Sequence, residues 1–319
     1  MASPIADLSY RNYDGPLEKP LNRWWAIAKA SMRLSIKKKG FWILASLSAY
    51  WYLLLLIVFY FMDAVSQNVP IGQKNPFIQQ IIWKDQFLNA FSIAQMLLFI
   101  IALLIGVGAI ANDNRANALL VYLSKPVSRL DYLIGKWLGI FIPITIVVAL
   151  PTLAFFGYCT MSYREYGFLT EDPRLLPKLL LLIFVPGFFH ASVSLGISSM
   201  FNQGRLAGAT YAGIFFMTLF FTKAMQIVHL VTSDDGGKTP PIVNTLYYCS
   251  VDGIQIALAK IILSTDGSGL FPNQPSGGRG IIPTIPMPNP ALFIGVYFGI
   301  CALSLLLAWS RIRAVEVVA

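Results

Sequence analysis

The chain has 319 residues, of which 56% are hydrophobic and only 12% are charged. Soluble chains carry about 25% charged residues, so this composition excludes an ordinary soluble protein and favours a lipid-facing surface. The net charge of +9 is typical of basic residues that flank membrane helices, and we expect no nucleic-acid partner. The apolar runs are continuous rather than alternating, which predicts an all-α polytopic membrane protein instead of a membrane β-barrel.

The first 40 residues form a predicted cytoplasmic N-terminal segment. Apolar residues recur at helical spacing over 21–39 and basic residues occupy much of the rest, which predicts an amphipathic helix on the anionic inner surface. The apolar stripe of this helix is Leu21, Trp24, Ala28, Met32 and Ile36. We expect Trp24, Trp25 and Arg33 to anchor the helix. The alternative is a simple basic flank of the first span.

Six apolar runs follow, each long enough to cross a bilayer, because about 20 residues of helix span its hydrocarbon core. Together they predict a six-helix transmembrane domain over residues 41–310. The predicted helices are 41–62, 88–111, 136–160, 178–201, 206–230 and 290–310.

The distribution of the 24 basic residues predicts the orientation. If the N-terminus is cytoplasmic, most of them fall on the inner side, as the positive-inside rule requires. Both termini, including the tail at 311–319, are then cytoplasmic, and the protein is integral to the plasma (inner) membrane. The loop at 112–130 lies inside, and the long loop at 231–289 lies outside, before the last helix.

The outer loop contains one further apolar stretch, 254–262. It is too short to span, so we expect an interfacial or re-entrant helix. Cys159 and Cys249 both fall on the predicted outer side, which leaves a disulfide open, although sequence does not fix their separation.

No catalytic or metal-ligating constellation is evident, so the chain is not expected to be an enzyme or to bind a cofactor or metal directly. His190 lies near the middle of the fourth predicted helix. An ionisable residue at that depth must face protein or water, which makes it a candidate polar residue of a translocation path. The alternative is a neutral histidine that bonds a neighbouring helix, through Ser192 or Ser194.

A polar, mildly basic island at 112–129 separates two uncharged runs. Ala116, Leu119, Leu120 and Leu123 recur at helical spacing, which predicts a short helix from Asp113 to Ser124. So short a helix is marginal alone and needs a partner for its apolar face. Pro126 should end this helix, and Ser128 with Asp131 forms a capping-box pattern for the next one. Lys125 and Arg129 are then exposed at the break.

The island and its flanks resemble the signature of type-2 ABC exporter permeases. The matching residues are Asn112 and Asp113, ALLVYLSKPVSR over 118–129, and YLIGK over 132–136. The family often has Glu-x-Gly-Thr before the double leucine, whereas this chain has Asn-Arg-Ala-Asn at 114–117. The surface helix, the six spans and the large last outer loop agree with the resemblance over nearly the whole chain.

The resemblance implies a permease subunit of an export-type ABC transporter. Such subunits pair with a second permease, identical or paralogous, and bind separate ABC ATPase subunits that carry ATP and Mg²⁺. The loop at 112–130 would be the coupling element seated on the ATPase. The residues implied in that contact are Asp113, Arg115, Leu119, Leu120, Leu123, Lys125, Pro126 and Arg129.

Two other classes of function remain open from the sequence. One is a non-transporting membrane scaffold or accessory subunit of a larger complex, since some relatives of such permeases serve assembly machines. The other is an ion-coupled secondary transporter, which would need paired intramembrane carboxylates or inverted repeats. The spans offer essentially no buried Asp or Glu, which disfavours this last class.

Overall fold

A computed structural model describes residues 23–66, 78, 81–116, 118, 128–234, 240–267 and 285–312. Within these ranges the protein is built from helices, turns and short connections, with no strand, which confirms the all-α class. The helices are α1 (Arg23–Ile36), α2 (Lys39–Ser48), α3 (Tyr50–Ser66), α4 (Trp83–Ile105), α5 (Ala111–Arg115), α6 (Arg129–Ser162), α7 (Phe168–Glu171), α8 (Leu175–Ser199), α9 (Gly204–Asp234), α10 (Pro241–Leu246), α11 (Val251–Leu263) and α12 (Pro290–Arg311).

Six described helical segments are long and apolar enough to cross a membrane, as predicted. They are Lys39–Met62, Trp83–Ile105, Arg129–Ser162, Leu175–Ser199, Gly204–His229 and Pro290–Arg311. The first combines α2 and α3, which are separated by a turn at Ala49. Most of the helices extend beyond the predicted bounds, because they continue through polar residues at the membrane surface. Two end earlier than predicted: the second ends at Ile105 instead of Ala111, and the fourth ends at Ser199 instead of Phe201.

Helix α8 lies at the centre of the bundle. In its most apolar stretch 78% of the residues are buried, against 17% in α9. It packs against α6 and α12, and also against α4, α9 and α11. A helix surrounded in this way has no polar face toward solvent, and its buried polar residues, which include His190 and Ser198, must bond within the protein.

The predicted helix of the outer loop is present as α11, whose bounds enclose 254–262. Its neighbours are α4, α8, α9 and α12, so it is inserted among the spans. The disulfide left open by the sequence is absent. Cys159 is a buried thiol within α6, whereas Cys249 is an exposed thiol just before α11, and both are free.

Some predictions fall outside the described residues. These include the two chain ends at 1–22 and 313–319 and the outer segment at 268–284. The division into segments 1–40, 41–310 and 311–319 therefore stays a prediction.

Candidate functional site

The loop between α4 and α6 begins in a turn at Gly106 and continues into the short helix α5. The predicted helix from Asp113 to Ser124 is wrong at its start, because α5 begins at Ala111 and Ala116 is already in a turn. Leu119, Leu120, Leu123, Lys125 and Pro126 lie outside the described residues, so the roles expected of them stay predictions.

Ser198, near the end of α8, holds the start of this loop. Its buried Oγ donates to the carbonyl of Val107 at 2.6 Å and accepts from the amides of Ile110 and Ala111 at 3.0 Å each. Two of these groups are amides left free at the start of α5, and the third is a carbonyl of the turn that follows α4. A Cβ on Gly106 would come within 2.5 Å of Ser194 Oγ, so a glycine is needed where the turn meets α8.

A second connection joins α5 to α6 through Asp113. Its carboxylate pairs with Lys136 Nζ at 2.7 Å and accepts a hydrogen bond from Tyr132 Oη at 2.7 Å. The ammonium of Lys136 also lies 5.6 Å from the centre of the Tyr132 ring. Since Tyr132 is fully buried, it fixes the carboxylate against α6. The two ends of the loop are therefore cross-linked.

The capping box predicted from Ser128 and Asp131 is confirmed. Ser128 Oγ accepts from the amide of Asp131 at 3.1 Å, and the Asp131 carboxylate accepts from the amide of Ser128 at 3.1 Å. These bonds satisfy two of the free amides at the start of a helix. Arg129 is the first residue of α6 and is exposed, as is Arg115 at the end of α5.

The N-terminal helix α1 lies along α6, the helix that carries the loop. A Cβ on Gly135 would come within 2.7 Å of Ile27 Cβ, and one on Gly139 would collide with Ser31. The buried face of α1 is Ile27, Ala28 and Ser35. Of the stripe predicted to face the membrane, Ala28 is buried, Trp24 and Met32 are half-buried and Ile36 is exposed. Part of the stripe therefore packs within the protein, and contact of the remainder with the membrane stays a prediction.

The predicted anchors of α1 differ in exposure. Trp24 is half-buried, whereas Trp25 and Arg33 are exposed. Their binding to a membrane surface stays a prediction.

His190 is fully buried where α8 meets α9 and α11. Its Nδ1 lies 2.7 Å from Tyr211 Oη, and its Nε2 lies 3.4 Å from Gln255 Nε2. Its partners are therefore on other helices, as the alternative interpretation required, but they are not Ser192 or Ser194. In this conformation His190 connects three helices.

Tyr132 and Lys136 lie within the sequence motif, but the motif predicts no role for them, and no role is predicted for Ser198. The motif itself contained the signal for Tyr132 and Lys136, since residues four positions apart lie on one face of a helix. Nothing local marks Ser198, one of several serines near the end of α8, because its partners are about 90 positions away.

The fold and this site describe a class of protein: a polytopic helical membrane protein whose loop between the second and third spans is tied to the spans around it. A family model described as "ABC-2 family transporter protein" matches residues 25–269, which is most of the chain. The chain belongs to this family and is a membrane-spanning permease subunit of an ABC transporter. No curated protein matches the chain.

Proposed function

We propose that this permease belongs to an exporter and that ABC ATPase subunits bind the loop at 112–130. ATP and Mg²⁺ would be held by those subunits. The loop and both termini would face the cytoplasm, with the protein in the plasma (inner) membrane. A second permease subunit would complete the membrane part of the transporter.

The observation that carries the proposal is the double attachment of α5. Through Ser198 it is bound to α8, and through Asp113 it is bound to α6. A force applied to the loop would therefore reach the most buried helix of the bundle and its largest neighbour together. Because α1 is packed on α6, it would move with them.

This arrangement suggests how nucleotide could act on the spans. If the loop has two positions, each belonging to one conformation of the spans, a partner that binds one position more tightly stabilises the corresponding conformation. Closely packed helices respond by moving as rigid bodies rather than by deforming. The unit that we expect to move consists of α1, α5 and α6 with the attached end of α8.

A second subunit is supported by the exposed face of α9. Seven exposed residues follow a strict alternation of four and three positions, the spacing of paired helices. They are Leu206, Thr210, Gly213, Met217, Phe220, Ala224 and Ile227. Small residues on such a face allow backbones to approach closely. We propose that this stripe packs against α9 of a second copy or of a paralogue.

Docking of the ATPase is tested by charge reversal at Arg129. We expect Arg129→Glu to abolish co-purification of the ATPase in mild detergent and to remove nucleotide hydrolysis from the preparation. The matched control is Arg311→Glu, an exposed arginine at the end of α12 that lies outside the loop. Retention of the ATPase by both variants, or a stable wild-type chain with no nucleotide-hydrolysing partner, would contradict the proposal.

The stripe on α9 is tested with two glycines. A Cβ on Gly213 or on Gly295 meets nothing within 4 Å, and both are exposed within a span. We expect Gly213→Leu to separate the two permease subunits, measured by mass in detergent, and Gly295→Leu on α12 to leave them associated. Equal behaviour of the two variants would argue against the stripe.

The role of His190 in translocation remains a proposal that requires α9 to separate from α8. We expect His190→Ala to change ATP-driven turnover while the amount of assembled complex stays the same. A permease that supports assembly but no turnover would favour the scaffold alternative.

A further inference from the structure

A cavity of about 840 Å³ lies at the loop end of the bundle. Its walls come from the junction of α1 and α2, the end of α4, the first turns of α6 and the start of α9. Its volume is within the range of small-molecule sites, which is about 300–1,000 Å³.

Among the charged side chains in the described lining of this cavity, basic ones outnumber acidic ones. Lys38, Arg115, Lys136 and Arg205 contribute four positive charges, and Asp113 contributes one negative charge. Asp113 is already paired with Lys136 at 2.7 Å. Three cations from three different parts of the chain therefore face a shared space with no remaining carboxylate among its described lining residues.

The three cations that have no carboxylate partner in the described part of the chain are Lys38, Arg115 and Arg205, and their hydrogen bonding differs. Lys38 Nζ donates to the carbonyl of Leu104 at 2.6 Å, at the C-terminal end of α4, where a cation is favoured by the helix dipole. Desolvation by partial burial lowers the pKa of Lys38. The guanidinium groups of Arg115 and Arg205 have no ion-pair partner among the described carboxylates. An anion entering the cavity would meet two arginines with free donors.

The level of the cavity along the spans indicates the source of the anion. Lys38 directly precedes the first span, and Arg205 is in the first turn of the fifth. The cavity therefore lies where a span meets the membrane surface, which is the level of lipid phosphates. Leu34 and Leu103 also line it, and Leu34 is 66% exposed. Apolar side chains beside the cations suit a ligand with an acyl chain better than a free anion.

We propose that this cavity binds the phosphate of an anionic phospholipid, with Arg115 and Arg205 as its ligands. Arginine presents donors in a planar fork that matches phosphate oxygens. Basic pockets between membrane helices on the cytoplasmic side commonly hold such headgroups. Since Lys136 and Asp113 line the same space, the lipid would contact the cross-link that closes the loop. The proposal does not depend on nucleotide-driven transport.

The test measures binding to the full chain without ATP. The protein is prepared in phosphatidylcholine nanodiscs with increasing phosphatidylglycerol, and retained lipid is counted by native mass spectrometry. A parallel titration adds glycerol phosphate to nanodiscs that contain phosphatidylcholine alone. The variants are Arg205→Gln and a matched control, Lys29→Gln, which removes an exposed positive charge from α1 outside the cavity.

We expect saturable binding of phosphatidylglycerol that Arg205→Gln weakens about tenfold, equivalent to about 1.4 kcal/mol, because a charge-assisted hydrogen bond to the phosphate is lost. Lys29→Gln should leave it unchanged. Selective loss of glycerol phosphate binding alone would support the phosphate site but overturn the lipid source. Equal effects of the two variants on both ligands would overturn the site, because diffuse surface charge would then explain the binding. Helix content and elution volume verify that each variant is folded.

Discussion

Each end of the bundle has a lysine that connects two segments of the chain, but the surroundings of the two lysines differ. At the loop end, Lys136 pairs with Asp113, and their side chains are 11% and 19% exposed. At the opposite end, Lys260 on α11 is 7% exposed and donates to the carbonyls of Asp266 and Ile285 at 2.7 Å each. The ion pair that attaches α5 to α6 is partly exposed to water, whereas the ammonium at the opposite end is buried and bound to backbone carbonyls.

The connections around Lys260 are extensive. Its ammonium lies 5.5 Å from the ring of Tyr248, whose hydroxyl donates to the carbonyl of Pro286 at 2.8 Å. Thr265 bonds the buried Asp85 at the start of α4. These bonds tie both flanks of the segment at 268–284 to the bundle, so this end is built to stay closed.

This difference in burial indicates at which end the lysine contacts can break at a low cost in free energy. A partly exposed ion pair contributes about 1 kcal/mol or less, because water competes for both charges. A buried cation that loses its carbonyl partners has no substitute for them. The loop end is therefore the one suited to rearrangement by a partner.

The largest expected effect comes from Lys260→Met. It keeps the apolar stem but leaves two carbonyls without their donor, so the free energy of unfolding should fall by about 3 kcal/mol. Unfolding in mixed micelles of dodecyl maltoside and SDS measures this. The control is Lys178→Met at the same end, whose ion pair with Asp172 is more exposed and should cost about 1 kcal/mol or less. Similar losses for both would remove the distinction between buried and exposed lysines.

A smaller loss in the free energy of unfolding is expected from Gly135→Ala. This substitution tests whether packing of α1 on α6, rather than charge, holds the loop end together. The new methyl group would collide with Ile27 and with the carbonyl of Trp24, each 2.7 Å away. Displacement of α1 should cost about 2 kcal/mol and expose α1 to limited proteolysis. Gly299→Ala is the control, because a Cβ there meets nothing within 4 Å. Unchanged protection of α1 in Gly135→Ala would show that its contact with α6 is loose.

The smallest effect is expected from the ion pair itself, measured by a double-mutant cycle of Asp113→Asn and Lys136→Met. The interaction energy should be about 1 kcal/mol, because both side chains are partly exposed. The same unfolding assay gives all four values. A coupling of about 3 kcal/mol would make the two ends equivalent and would contradict the comparison.

Much of the architecture could be predicted from the sequence. The six spans followed from uninterrupted apolar length, since a helix in lipid must satisfy its own backbone and avoid charge. The start of α6 followed from Ser128 and Asp131, because a capping box involves only four neighbouring residues. The family followed from the motif around these residues and is shown by the match over 25–269.

Other parts of the candidate site could not be predicted in this way. The packing of α1 on α6 was not predicted, because helical spacing identifies an apolar stripe but not the pair of glycines on α6 that α1 contacts. The partners of His190 were wrong for a similar reason, since Tyr211 and Gln255 are brought to it by two other helices.

The sequence by itself therefore determined the membrane spans, the capped loop and the family, because each depends on the order of neighbouring residues. The tertiary structure alone decided how the two ends are held. A buried polar group must find a partner wherever the fold supplies one, and for Ser198 and Lys260 that partner belongs to another segment of the chain. The partly exposed Asp113 also pairs with a residue of another helix. These contacts between distant residues hold the end around Lys260 by buried hydrogen bonds, and they hold α5 to α6 at the loop end by an ion pair that a partner can rearrange.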